Sequence, residues 1–284
     1  ETVSPLTNTM QIMKLIPTLL FAITSALGLA SCDNVDENER FNGPISLSSA
    51  KNVLIEDFTG QRCVNCPLAA YFIEQYKETY GSERIIAVSI HGGANSLSEE
   101  TNPAQGLANE QGTAYNQHWG VTTKPSGLID RAPGVGVIDY RLWQAEVAKR
   151  FQQDLKANIS VKSTTYNPAD RKLNIELELK GMAEESVAGK VQVWLTENNL
   201  QREQDMPDGT RNNEYIHQHV FRASVNDPFG DPQTISHEET RTLTFQYTLK
   251  EHWVPENMAV VAFFYNETDG VIQATESHIL PEAN

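Results

Sequence analysis

The chain of 284 residues is poor in basic residues and in cysteine. It has 22 lysines and arginines against 37 aspartates and glutamates, which gives a formal net charge of −15 at pH 7. This shortage of positive charge argues against binding to nucleic acid, which requires a basic face. It argues equally against binding to anionic lipid headgroups through charge. We therefore expect no nucleic-acid partner.

The apolar run near the N-terminus is too short to be a transmembrane helix. It extends from Leu15 to Leu29, follows the basic residue Lys14, and ends in the sequence LASC at positions 29–32. A basic residue, a short apolar run and small residues before the cleavage point are typical of a secretory signal peptide. We predict that residues 1–31 are a signal peptide with an upstream extension.

The cysteine at the predicted cleavage point resembles the modified residue of a bacterial lipobox. This resemblance implies that Cys32 becomes the acylated N-terminus, which anchors the chain because several acyl chains bind a membrane firmly where one does not. The alternative is an ordinary secretory signal with an incidental cysteine. Residues 32–49 are expected to form an acidic tether, since positions 33–40 (DNVDENER) are polar and lack periodicity. A flexible spacer and a surface-export signal like that of Bacteroidales lipoproteins both fit this stretch.

The two other cysteines form a C-x-x-C motif between a predicted strand and a predicted helix. Residues 53–58 (VLIEDF) are typical of a buried strand, and residues 68–76 (LAAYFIEQY) have apolar positions at helical spacing. The free N–H groups of a helix N-terminus favour a thiolate at Cys63. We expect Cys63 to be the partly exposed attacking thiol and Cys66 the less exposed resolving thiol. If Cys32 carries lipid, these two cysteines can pair and no odd thiol remains.

The segment around the motif resembles a thioredoxin fold. A second buried strand at residues 84–90 (RIIAVSI) completes a strand–helix–strand unit, which implies parallel strands. Far downstream, Pro125 opens a short strand, as the cis-proline beside the dithiol does in that family. We therefore predict an α/β thioredoxin-like domain over residues 50–155. The glycine-rich residues 132–137 do not predict the final strand of the fold, so we expect a sheet trimmed by one strand.

The resemblance also implies a buried carboxylate at the end of the first strand. In thioredoxins this group handles protons for the second cysteine. Alternation along a strand places Asp57 on one face and Glu56 on the other, so Asp57 is the first candidate and Glu56 the second. The family has an aromatic residue just before its first cysteine, whereas Arg62 stands there in this chain.

The remaining residues, 156–284, predict an all-β domain. They contain no convincing long helix and no cysteine. Short alternating segments separated by polar turns are typical of an immunoglobulin-like β-sandwich. Seven strands are predicted: Asn158 to Tyr166, Lys172 to Lys180, Lys190 to Thr196, Tyr215 to Val225, Thr240 to Leu249, Met258 to Tyr265, and Val271 to Ile279.

Taken as a whole, the mature chain resembles the Omp28-related outer-membrane lipoproteins of Bacteroidales. The resemblance rests on residues 56–60 (EDFTG), 63–67 (CVNCP) and 217–222 (HQHVFR). It implies an outer-membrane, lipid-anchored protein with a thioredoxin-like domain and a β-sandwich, and it leaves surface exposure open. We expect no cofactor and no metal.

Two functions fit these residues. The first is thiol–disulfide exchange with envelope proteins, in which Cys63, Cys66, Asp57 and Pro125 form the site and the partners are protein thiols or disulfides. The second is a surface adhesin or binding module for host or surface proteins, in which Cys63–Cys66 is a structural disulfide.

Overall fold

The computed structural model describes residues 51–280. The predicted signal peptide, the predicted lipidation site Cys32 and the predicted tether lie outside these residues. The described part is mostly β-structure with few helices.

The predicted strand–helix–strand unit is confirmed. Strand β1 (Val53–Thr59) is buried along its whole length, helix α1 (Cys66–Tyr80) follows, and strand β2 (Ile85–His91) is again entirely buried. The two strands pair in parallel, with Val53 opposite Ile85. Both strands are mostly apolar along their length because the two faces of this parallel pair are buried in the protein.

Three further elements complete this half of the chain: α2 (Glu110–His118), β3 (Ser126–Ile129) and α3 (Trp143–Arg150). Helix α2 is preceded by Asn109, whose side chain caps it by accepting a hydrogen bond from the amide of Gly112 at 2.8 Å. Strand β3 runs antiparallel to β1.

The final strand, which we expected to be missing, is present but very short. Strand β4 comprises only Ile138–Asp139 and pairs with the first two residues of β3. This strand is difficult to predict from the sequence because Gly134 and Gly136, both at positive φ, form the turn directly before it.

Between residues 156 and 280 the structure contains ten strands, and each predicted segment contains strand structure. They are β5 (Ala157–Asn167), β6 (Lys172–Gly181), β7 (Val187–Glu197), β8 (Leu200–Asp205), β9 (Arg211–His217), β10 (Val220–Ser224), β11 (Asp231–Ile235), β12 (Thr240–Thr248), β13 (Met258–Asn266) and β14 (Gly270–His278). The segment predicted from Tyr215 to Val225 is divided into β9 and β10, because His219 between them has a left-handed φ of 56°. Strands β8 and β11 were not predicted.

One sheet contains strands from both sides of the predicted boundary at residue 155. Its order is β14-β13-β7-β10-β2-β1-β3-β4, and β11 adds to β7. Strand β10 connects the two parts by pairing in parallel with β2, where Val220 lies opposite Ser89. A second sheet of β12, β6 and β5 packs over the second half through the inward leucines and isoleucine of β6. The strands β8 and β9 form a separate two-stranded hairpin.

A buried ion pair lies behind β1. The guanidinium of Arg131 donates two hydrogen bonds of 2.8 Å to the carboxylate of Glu56, and both side chains are almost fully buried. The ring of Tyr265 lies 4.5 Å from the same guanidinium carbon. Tyr265 belongs to β13, so this strand contacts the ion pair that Arg131 forms with Glu56 of β1. Within residues 51–280, no helix is both long enough and apolar enough to cross a membrane.

Candidate functional site

The two cysteines of the motif form a disulfide at the start of α1. Cys66 is the first residue of the helix, Asn65 precedes it, and Pro67 occupies the first turn. The Cα atoms of Cys63 and Cys66 are 5.4 Å apart. Cys63 is only 6% exposed and Cys66 only 3%, so the expected partial exposure of Cys63 is wrong.

The hairpin of β8 and β9 buries the disulfide. The side-chain amide of Gln204 donates to the carbonyl oxygen of Cys63 at 3.0 Å. The backbone amide of Asp205 donates to the carbonyl oxygen of Gln61 at 2.8 Å, and the Gln61 side chain donates back to the carbonyl of Glu203 at 3.2 Å. The hairpin is therefore fastened to the cysteine loop through backbone and side-chain groups.

Arg62 takes part in the same contact. Its guanidinium lies 2.8 Å from a carboxylate oxygen of Glu203 and 3.4 Å from one of Asp205. These carboxylates balance the positive charge of Arg62. Arg62 thus binds the hairpin to the cysteine loop.

A cavity of about 250 Å³ lies on the Cys66 side of the disulfide. Helix α1, the ends of β1 and β2, and strand β9 form its walls. The residues that matter for its chemistry are Asp57, Cys66, Glu74, His91, Tyr215 and His217.

Asp57 is the buried carboxyl group of this cavity. It is 1% exposed, and its Oδ1 has no hydrogen-bond partner in the described structure. Burial raises the pKa of Asp57 to about 7, and the positive charge of Lys124 opposes that rise. Burial likewise lowers the pKa of Lys124 to about 8, against the attraction of Asp57. A carboxyl group with a pKa near neutrality is able to accept and release protons at physiological pH.

The other candidate carboxylate, Glu56, does not reach the cavity. Its side chain lies on the opposite face of β1, where both oxygens accept hydrogen bonds from Arg131. The side chains of Asp57 and Glu56 therefore lie on opposite faces of β1, as the alternation along a strand predicted.

The peptide bond between Lys124 and Pro125 is cis, as the resemblance implied. Ser126, the next residue, lies opposite Phe58 at the end of β1. The Lys124 ammonium donates to the carbonyl of Ala94 at 3.0 Å. The proline thus lies at the end of the strand from which the cysteine loop departs.

Two histidines in the cavity were not predicted as site residues. The rings of His91 and His217 are 5.4 Å apart in an edge-on arrangement. Nδ1 of His91 and Nε2 of His217 are buried without a hydrogen-bond partner among the described residues. Burial lowers the pKa of His217 to about 4 and that of His91 well below its usual value. Both rings are therefore neutral at pH 7. Their signal in the sequence is weak, since one histidine ends a buried strand and the other lies 126 residues further along.

Residues 51–280 contain no group of three histidine, cysteine, aspartate or glutamate side chains arranged to hold a metal ion.

Among solved structures, HBP35 of Porphyromonas gingivalis is similar to this chain. It has a TM-score of 0.64 and 18% sequence identity, and the match covers 81% of this chain and 75% of that one. At this identity the similarity shows a shared fold. A domain of the outer membrane lipoprotein Omp28 from the same organism matches 46% of this chain and 93% of its own, with 20% identity and a TM-score of 0.31. No curated protein sequence matches the chain.

The family described as outer membrane protein Omp28 matches residues 112–282. This segment contains most of α2, the cis-proline, the hairpin and His217, whereas the C-x-x-C motif precedes it. The match covers more than half of the sequence, and the chain therefore belongs to the Omp28 family of outer membrane proteins.

Proposed function

We propose that this outer membrane protein carries out thiol–disulfide exchange with proteins of the cell envelope. The observation that carries the proposal is Asp57, an unpartnered buried carboxyl group in the cavity that also contacts Cys66. A buried polar group without a partner destabilises a fold, and such groups are concentrated at functional sites. A purely structural disulfide requires no proton acceptor beside it.

The chemistry consists of two exchanges. In the reduced protein the Cys63 thiolate attacks a disulfide of the partner, so that a mixed disulfide forms and one partner sulfur leaves as thiolate. Cys66 then loses its proton and attacks the Cys63 sulfur, which reforms the internal disulfide and releases the second partner sulfur. Overall, the partner disulfide is reduced to two thiols and the protein dithiol is oxidised. The reverse sequence oxidises a partner dithiol.

A thioredoxin-like arrangement of residues 50–155 supports this proposal. The features that favour it are the parallel pair β1 and β2, the cysteines at the N-terminus of α1, the antiparallel strand β3 and the cis bond before Pro125. Together they support a thioredoxin-like arrangement as part of the proposal.

One observation favours the alternative, in which the chain is a binding module with a passive disulfide. Both cysteines are buried, and the hairpin is hydrogen-bonded to the carbonyl of Cys63, so it limits the access of a partner to the disulfide. A loop closed by a C-x-x-C disulfide is very small, however, and the stabilisation expected from loop closure is correspondingly low.

The reduction potential of the Cys63–Cys66 pair distinguishes the two functions. We expect the purified mature protein to equilibrate with dithiol and glutathione buffers at a potential above about −300 mV, since structural disulfides generally lie below that value. Free thiols are counted by mass after alkylation in denaturant, and a Cys63→Ser, Cys66→Ser double variant supplies the background. A potential below this limit supports the binding module and contradicts the exchange function.

The lipid anchor at Cys32 is a further part of the proposal. Its support is the sequence LASC at positions 29–32 together with the outer-membrane family. Intact mass of the protein from its native membrane should reveal two or three acyl chains on an N-terminal Cys32, and the Cys32→Ser variant should lack them. An unmodified mature N-terminus at another residue contradicts the anchor.

A further inference from the structure

His217 presents a free ring nitrogen to the cavity that contacts Cys66. The side chain is 5% exposed, and its Nε2 has no hydrogen-bond partner among the described residues. The same cavity is lined by Cys66 and Asp57. A buried nitrogen of this kind is costly to leave unpaired, which points to a role beyond packing.

The hairpin fixes which nitrogen is free. Backbone groups of Arg202 and Glu203 hydrogen bond to the His217 ring and favour its protonated form. Since Nε2 is unpartnered, these bonds belong to Nδ1, which therefore carries the proton of the neutral ring. This tautomer leaves the lone pair of Nε2 available as a proton acceptor.

The ring is also held in place. It packs edge-on against His91 at 5.4 Å and against Tyr215 at 4.7 Å. The β8 strand beside it is fastened to the cysteine loop through Gln204, whose amide donates to the carbonyl of Cys63 at 3.0 Å. The same contacts that cover the disulfide therefore set the position of the imidazole relative to the cysteine loop.

We propose that His217 is a second proton-accepting residue for Cys66, in addition to Asp57, an inference that rests on the exchange function proposed above. When Cys66 attacks the mixed disulfide, its S–H proton passes to Nε2 of His217. The new Cys66–Cys63 sulfur bond forms, the bond from Cys63 to the partner sulfur breaks, and the partner leaves as thiolate. The imidazolium then gives its proton to solvent or to the departing thiolate, so that the site returns to its neutral state.

Several ionisable groups surround this ring and influence its titration. Asp57 from β1, His91 from β2 and Glu74 from α1 share its cavity, together with Tyr215 and His219. Arg202 opposes its protonation, while Lys124 acts on its neighbours Asp57 and His91. Burial keeps the pKa of His217 at about 4 in the oxidised protein. A thiolate at Cys66 supplies the opposite charge that raises it.

The test measures the two exchange steps separately in the mature protein. A small aromatic disulfide is used as the probe, and resolution of the mixed disulfide is followed by release of its second thiol. In His217→Gln we expect resolution at pH 7 to slow by about 100-fold, the size typical for loss of a general base, with the rate profile displaced to higher pH. The first step, measured in a Cys66→Ser background, should not change. The matched control is His237→Gln, the same change at an exposed histidine, which should resolve normally.

A second measurement needs no variant at His217. We expect the NMR titration of the wild-type His217 ring to give a higher pKa in the reduced protein than in the oxidised protein. An unchanged pKa together with normal resolution in His217→Gln overturns the proposal while the exchange function stands. If the wild-type protein fails to react with the probe even at its first step, the exchange function itself is contradicted, and the role of His217 falls with it.

Discussion

Asp57→Asn should stabilise the oxidised protein at alkaline pH and remove a fall in stability that the wild-type protein undergoes between about pH 4 and pH 7. Burial raises the pKa of Asp57 from 3.8 to about 7. Between these values the folded protein keeps a proton that the unfolded chain has lost, so stability decreases as pH rises and levels off above pH 7. Three pKa units correspond to about 4 kcal/mol. The unpartnered amide of asparagine offsets part of this gain, so we expect a net gain of about 1–3 kcal/mol at pH 8.

Urea unfolding without reductant at several pH values measures this effect as a difference between variant and wild type. The difference between variant and wild type is used because His217 changes the free energy of unfolding with pH in the opposite direction. Its pKa of about 4 lies below the ordinary value of 6.5, so its contribution to stability decreases as pH falls through that interval. His217 is present in both proteins, and its contribution cancels in the difference. Near pH 3, where Asp57 is protonated in both the folded and the unfolded protein, this gain disappears, and the variant should be less stable than wild type by the cost of the asparagine amide, about 1–3 kcal/mol.

Glu56 provides a matched control in which the same kind of substitution should destabilise the protein. Glu56 lies one residue earlier on β1, is equally buried, and accepts two hydrogen bonds from Arg131. Glu56→Gln leaves the buried guanidinium without its counter-charge, which should destabilise the protein by about 3–5 kcal/mol. If both variants destabilise the protein at pH 8, the buried carboxyl of Asp57 is a structural group and its raised pKa has no support.

Local sequence patterns predicted the part of the site that the chain forms within a few residues. The apolar run of β1, the helix that begins at the C-x-x-C and the alternation that separates Asp57 from Glu56 all follow from short-range rules. The cis bond before Pro125 followed from resemblance to thioredoxins. Predictions of this kind succeed because steric and hydrogen-bonding preferences act between neighbouring residues.

The hairpin could not be predicted in the same way. Strand β8 has the sequence LQREQD, which is too polar to be distinguished from a loop. Its contact with the site joins Gln204 to Cys63, residues 141 positions apart. The expected exposure of Cys63 failed for this reason, since nothing near the motif indicates that a distant polar segment covers it.

The histidines of the cavity were missed for a related reason. His217 lies near His219 in the sequence, and alternation suggests that they share a face. The turn at His219, with its φ of 56°, brings that ring to Lys77, whose ammonium lies 2.6 Å from its Nε2. His217 instead meets His91, which only the pairing of β10 with β2 brings close. Pairing between strands that are distant in the sequence cannot be predicted from local hydrophobic periodicity.

Trapping a mixed disulfide in the outer membrane tests the central claim, that Cys63 and Cys66 exchange with a partner protein, most directly. The Cys66→Ser variant retains the attacking thiol and lacks the resolving thiol, so the mixed disulfide at Cys63 should accumulate. After rapid acid quenching and alkylation, non-reducing electrophoresis should reveal a covalent adduct that disappears on reduction. The Cys63→Ser variant should give none, because in the proposed exchange Cys63 is the attacking thiol and Cys66, the less exposed residue of the two, only resolves the mixed disulfide. If Cys66→Ser forms no more adduct than Cys63→Ser, the disulfide is passive and the protein is a binding module.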